Sequence, residues 1–239
     1  MIWVNILFLI LVSSLLLSDL TFLKIINSSN IITVVTAFAG ALSGAWGAYK
    51  LQINKENKKE EKQKINSLNK ALFILLRQIN AMTMFKIDLE KVKEKEPIVR
   101  AFQIQAWKTN PYNDLKFNFE ELSFILDTED LNLLHELFIV QESFEQAIET
   151  INQRSIYFIN KVTPEMELKD IDNKKFTLDE LKTEMDINKI NGLVSGTDYM
   201  YIHVYRTYQQ LEDVTSKLFN FAKSQYPDKK FIQFEKSIS

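Results

Sequence analysis

The first 49 residues of this chain carry almost no charge. They contain one acid, Asp19, and one base, Lys24, whereas 58 of the 60 Asp, Glu, Lys and Arg residues lie in residues 50–239. The helices of a soluble domain need a charged or polar face toward water. The distribution therefore excludes a single soluble domain and predicts an apolar segment joined at Lys50 to a charged one.

Two uncharged stretches, residues 1–18 and 25–49, are each about as long as a membrane span. About 20 mostly apolar helical residues cross the hydrocarbon core of a bilayer, and only helices satisfy their own backbone there. A signal peptide is the alternative for the first stretch, which lacks a basic start and a small-residue cleavage site. We expect a first transmembrane helix and the start of a loop in residues 1–24. The loop end and a second transmembrane helix follow in residues 25–50.

A lysine-rich strip follows the second span, and residues 51–96 are expected to form an amphipathic juxtamembrane helix. The strip comprises residues 50–64, and its basic residues are Lys50, Lys55, Lys58, Lys59, Lys62 and Lys64, set against three glutamates. Lysines at one end of a span place that end in the cytoplasm, so two spans put both termini there. Trp3, Trp46 and Tyr49, together with Lys50, are the expected interface residues. The strip has two compatible explanations, a solvated helix face and attraction to anionic lipid.

The second span carries small residues at helical spacing: Ala37, Gly40, Gly44 and Gly47. Such residues let two helix backbones approach closely in lipid. Packing against the first span is one explanation of this pattern. Self-association between copies, or the lining of a pore, is the other.

Beyond the strip, apolar residues recur in alternating steps of three and four, at Ile65, Leu68, Leu72, Leu75 and Ile79. This spacing is typical of a coiled-coil seam, and we refer to these five residues as the seam. Phe73 and Leu76 widen the apolar stripe, which favours one helix of a compact bundle instead. The seam is a candidate surface for assembly in either case.

Residues 97–239 predict a cytoplasmic α-helical domain. Helices are expected near residues 98–107 and 117–127, from Thr128 to about Lys161, from Thr177 as N-cap, and from Thr197 to Ser224. A loop is expected over residues 161–175, and a turn at Gly192 and Gly196. Tyr199, Tyr201 and Tyr205 alternate as in a strand, but the longer stripe favours a helix. The fold class is all-α, an N-terminal transmembrane hairpin followed by a helical bundle with a long juxtamembrane helix.

The residues point to no catalytic, cofactor or metal site. The chain has no cysteine, and its two histidines, His135 and His203, belong to no metal-binding motif. We expect both to be structural, while a pairing of the two in space stays open. Residues 65–239 carry a net charge near −5, which disfavours contact with nucleic acid. We expect no cofactor; the expected partners are the lipid bilayer and either a protein partner or further copies, bound through the cytoplasmic helices.

The layout resembles the retron-associated effector membrane proteins with two spans, a bacterial family found beside antiphage systems. The residues that carry this resemblance are AFAGALSGAWGAYKLQ, in and after the second span, and the run FNFEELSFILDTEDLNLLHELF. The resemblance implies a toxin of the inner membrane, held inactive until infection. It supplies no catalytic residue.

The resulting expectation is a non-enzymatic inner-membrane effector that perturbs the membrane when activated through its helical domain. The alternative is a membrane-tethered adaptor that binds a cytoplasmic protein without membrane damage. An enzyme of unrecognised type ranks third.

Overall fold

A computed structural model describes residues 28–107, 112, 114–171 and 177–233. Regular structure within these ranges is entirely helical, without a β-strand. The all-α prediction is confirmed for them, including residues 199–205. The first predicted transmembrane helix, and with it the predicted hairpin, lies outside the described residues.

The chain divides into two compact units, Met1–Glu60 and Glu61–Ser239. The long helix α1, Ser28–Glu90, contributes residues to both. The remaining helices all belong to the second unit. They are α2 Pro97–Gln103, α3 Phe119–Leu122, a 3₁₀ turn Ser123–Asp127, α4 Leu131–Tyr157, a π-helical turn Phe158–Val162, α5 Thr163–Leu168, α6 Leu178–Glu184 and α7 Ile187–Gln225.

The main core of the second unit joins residues 68–89 of α1 to one face each of α4 and α7. Leu72, Phe144 and Leu211 are among its fully buried side chains. A smaller cluster packs α2, the π-helical turn, α6 and the start of α7 around Val162, Ile190 and Leu193. Apolar burial of this kind is the main favourable contribution to folding.

The predicted turn at Gly192 and Gly196 is wrong, because both glycines lie inside α7, which begins ten residues before Thr197. Close packing explains them. A Cβ at Gly192 would overlap the hydroxyl of Tyr157, and one at Gly196 would lie 3.4 Å from Cγ of Arg154. The glycines therefore let α7 approach α4, and neither one terminates a helix.

The loop predicted over residues 161–175 is also wrong for Thr163–Leu168, which form α5. Pro164 lies in the first turn of α5, where a missing N–H is tolerated. The preceding turn widens to a π-helix, and the Thr163 hydroxyl donates to the Phe158 carbonyl at 3.1 Å. The predicted cap of the next helix is confirmed, since Thr177 and Glu180 form a capping box.

Arg154 on α4 is 3% exposed and has no carboxylate partner among the described residues. Its Nη2 donates to the carbonyls of Ala101 and Ile104 at 2.6 and 2.5 Å, and its Nη1 to that of Gln105 at 3.1 Å. These carbonyls end α2, where the helix dipole is negative. Burial lowers the pKa of Arg154 to about 10, which leaves it charged at neutral pH. The guanidinium thus caps α2 and ties it to α4.

We expect Arg154→Met to lower the free energy of unfolding by about 2–4 kcal/mol. Each buried acceptor left without a donor costs about 1–3 kcal/mol, and removal of a buried charge offsets part of this cost. Urea unfolding of the full chain in detergent, followed by circular dichroism, measures the change. Arg206→Met is the matched control, since Arg206 is exposed. Equal unfolding midpoints for the two variants would contradict the capping role of Arg154.

Glu165 on α5 holds the start of α7 to the smaller cluster. Its carboxylate lies 2.7 Å from Nζ of Lys189 and accepts the backbone N–H of Asp186 at 3.0 Å. Hydrogen bonding from Lys189, then from the Asp186 backbone, holds the pKa of Glu165 below its usual value, despite some desolvation. The folded state therefore favours the ionised carboxylate.

Because its folded-state pKa is depressed, Glu165 stabilises the fold above the ordinary glutamate pKa, and this contribution is lost as the pH falls through the folded value. We expect Glu165→Gln to reduce stability at pH 7, with the difference shrinking below about pH 4. Thermal unfolding at several pH values measures it. Glu167→Gln, at an exposed neighbour, serves as control. A Glu165→Gln deficit that persists unchanged at acid pH would contradict this assignment.

Candidate membrane-facing and interaction surfaces

The apolar start of α1 is uncovered. Ile32, Phe38, Leu42, Trp46 and Leu51 are 56–66% exposed, although all five are large hydrophobic residues. Residues 32–51 span about 30 Å at 1.5 Å per residue, the thickness of the hydrocarbon core. Among the described residues, one helix is long and apolar enough to cross a membrane, and it is this one.

The predicted packing residues of the second span lie on one side of this segment. Ala37, Gly40, Gly44 and Gly47 fall within about 80° of arc at 100° per residue, and we call them the glycine face. A Cβ built at any of the three glycines meets no atom within 4 Å. The face is therefore open along its length in the part of the first unit that the structure describes.

The predicted interface residues lie where this apolar segment ends. Trp46 and Tyr49 are 60% and 59% exposed, and Lys50 Nζ lies 4.1 Å from the Trp46 ring centroid. A lysine folded over an indole is a favourable cation–π contact. Trp3 lies outside the described residues.

The predicted basic residues are placed on both sides of the boundary between the units. Lys55, Lys58 and Lys59 are exposed in the first unit, and Lys62 is exposed in the second. Lys64 is half-buried, with Nζ 5.7 Å from the Phe124 ring centroid.

The seam residues are covered by other helices of the same chain. Leu68, Leu72, Leu75 and Ile79 are at most 1% exposed and belong to the main core, whereas Ile65 is half-buried. These four leucine and isoleucine side chains therefore pack as one helix of a bundle. They offer no free surface to a partner in this structure.

The two histidines do not meet. His203 Nδ1 lies 3.0 Å from the Thr150 hydroxyl, while His135 lines a groove farther along α4. Fifteen residues of helix separate Thr150 from His135, about 22 Å. The possible pairing of the two histidines is absent from this structure. Likewise, no cluster of three or more metal-ligating side chains occurs among the described residues.

Two grooves of about 510 and 340 Å³ lie between the first half of α4 and the second half of α7. Both include Glu136 and Lys217, and Lys217 Nζ lies 2.9 Å from carboxylate oxygens of Glu136 and of Asp213. Hydrogen bonds to Asp213 and then Glu136 raise the pKa of Lys217. Lys217 on α7 thus joins α7 to Glu136 of α4 at the surface, and the two carboxylates leave this group with a net charge of −1.

Sequence reasoning missed a cation–aromatic cluster where the end of α1 meets α7. Tyr201 donates to the Leu89 carbonyl at 2.6 Å, and its ring lies 4.8 Å from Arg100 Cζ. Lys86 Nζ lies 4.5 Å from the Tyr208 ring centroid. The tyrosine spacing along α7 was visible in the sequence, but Arg100 and Lys86 come from distant positions that no local pattern links to it.

No protein-family model, curated protein or solved structure matches the chain. The candidate surfaces are therefore argued from their own residues. Among the described residues, the glycine face and the exposed lysines are open surfaces of the first unit, and the α4–α7 grooves are open surfaces of the second.

Burial of the seam in the core predicts how substitutions there change the stability of the fold. We expect Leu72→Ala to lower the free energy of unfolding by about 2–5 kcal/mol, because it leaves a cavity in a fully buried site. Phe73→Ala, at an adjacent residue that is 51% exposed, should cost much less. Denaturant unfolding at two protein concentrations measures both. If the unfolding midpoint of the wild-type chain rises strongly with protein concentration, and Leu72→Ala removes this dependence, the seam is instead an interface between copies.

Proposed function

We propose that this chain is a non-enzymatic effector of the bacterial inner membrane, with two spans and both termini in the cytoplasm. Its resemblance to the retron-associated effector membrane proteins adds an antiphage defence system as the setting. In this proposal, the spans perturb the bilayer when the cytoplasmic helical domain is activated. The observation that carries it is an apolar helix of bilayer length with an open glycine face.

The uncovered apolar segment supports insertion. Exposed apolar patches on soluble proteins rarely exceed a few hundred Å², whereas here large apolar side chains are exposed along 20 residues of helix. Lipid is the solvent in which such a surface is stable.

The glycine face supports assembly within the membrane. Lipid tails give no hydrophobic drive for helices to associate, so association depends on close backbone packing. Three glycines with nothing within 4 Å of a Cβ leave room for a second helix. That helix is either the first span of the same chain or the equivalent helix of another copy.

The activating signal would reach the helical domain at its outer surface, because the seam is already used in the core. Binding of a partner at this outer surface also fits the second candidate function, a membrane-tethered adaptor. Ile139, which is 38% exposed and lines the smaller α4–α7 groove, is the kind of residue a bound protein would cover.

Inducible expression with a membrane-potential dye separates the two functions. We expect wild-type chain to depolarise the cells and Gly44→Leu to abolish the effect, because leucine prevents close helix approach. Ala39→Leu adds the same bulk about 120° away from the glycine face and should depolarise like wild type. Unchanged potential and normal growth at high expression would contradict the effector and favour the adaptor.

A further inference from the structure

The charges that follow the apolar segment are segregated around α1. Lys55, Lys58 and Lys59 lie within about 100° of arc, and we call them the lysine face. Glu56 and Glu60 are centred about 120° away from them around the same helix. The six residues 55–60 thus present one basic side and one acidic side.

The lysine face is open. All three lysines are exposed, and within the described ranges no acidic side chain pairs with them. Glu56, by contrast, accepts a hydrogen bond at 3.0 Å from Gln52 on its own side of the helix. Three unpaired ammonium groups on one side repel each other, so an anionic partner would relieve that repulsion.

The position of the face favours one kind of anion. Lys50, folded over Trp46, marks the end of the apolar segment. Lys55 follows it by about 7.5 Å of helix and Lys59 by about 13.5 Å. The headgroup layer is about 5–8 Å thick, and surface potentials reach about a Debye length, 8 Å, beyond it. All three lysines are therefore within range of the headgroups.

We infer that Lys55, Lys58 and Lys59 form a binding surface for the anionic headgroups of the leaflet at the Trp46 end of α1. The inference rests on the proposed membrane insertion of that helix. It commits to lipid phosphate over nucleic acid, because residues 65–239 carry a net charge near −5 and repel a polyanion.

The lysine face also lies on the same side of α1 as the glycine face, since the centres of the two differ by only about 30° of arc. Two copies that approach through their glycine faces would bring their lysine faces together. Anionic headgroups held between the lysines would offset the repulsion between copies. Lipid composition thus bears on any assembly of the spans.

The test uses the full chain in nanodiscs made from equal amounts of phosphatidylcholine and phosphatidylglycerol. After transfer to mild detergent, mass spectrometry counts the lipids that stay bound. Each lysine near an anionic surface contributes about a fivefold preference. We therefore expect Lys55→Gln, Lys58→Gln and Lys59→Gln together to reduce the retained ratio of phosphatidylglycerol to phosphatidylcholine at least tenfold.

Two matched variants control for charge and fold. Lys161→Gln, Lys182→Gln and Lys230→Gln together remove the same charge at exposed positions of the second unit and should leave the ratio unchanged. Lys55→Arg, Lys58→Arg and Lys59→Arg together should preserve it. Circular dichroism confirms that each variant keeps its helix content.

An unchanged ratio in the lysine-face triple variant would overturn the inference, as would an equal fall in both glutamine triples. Binding of an oligonucleotide that is lost in the lysine-face variant, with the lipid ratio unchanged, would overturn it in favour of nucleic acid. A chain that alkaline carbonate extracts from membranes is not inserted, which overturns the proposed function as well. If the chain is inserted but the triple variant shows no change in lipid preference, only the inference about the lysine face is overturned.

Discussion

An apolar helix segment that no other described part of the chain covers is the constraint on which the rest of the molecule depends. From Ile32 to Leu51 the large side chains of α1 are more than half exposed, and water is a poor solvent for such a surface. The first strongly basic residues begin at Lys50, where the apolar segment ends. The second unit has its own core and needs no cover from this segment. The length and the composition of the helix both fit a lipid bilayer, as the proposed function requires.

Polar groups fix how the second unit packs. Arg154 and Gln78 are both buried, and both bond to backbone carbonyls: Arg154 to the end of α2, Gln78 to Leu115 at 2.8 Å. Such bonds contribute little net free energy when made, but a missing partner is costly. They therefore select one arrangement of α1, α2 and α4 among the many that apolar packing alone would allow.

Several features of the fold were predictable from the sequence because they depend on neighbouring residues. The charge gap before Lys50, the stripe from Leu68 to Ile79 and the cap at Thr177 each follow from neighbouring residues. The errors came from long-range packing. Gly192 resembles a turn residue until Tyr157 is placed against it, and Pro164 resembles a helix end until the π-helical turn accommodates it. Arg154 gave no signal, because its partners are carbonyls about 50 residues away, which any sequence supplies.

Cysteine accessibility tests membrane insertion of α1 most directly, and the chain offers a clean background because it has no cysteine. The single-cysteine variants Phe38→Cys, Leu42→Cys, Asn54→Cys and Asn57→Cys are each treated with a membrane-impermeant maleimide. The treatment is done in nanodiscs, where the reagent reaches both faces of the bilayer. We expect the first two to stay unreactive until detergent dissolves the lipid, and the last two to react at once. Equal reactivity at all four positions would show that the apolar segment lies in water, which contradicts the proposed function.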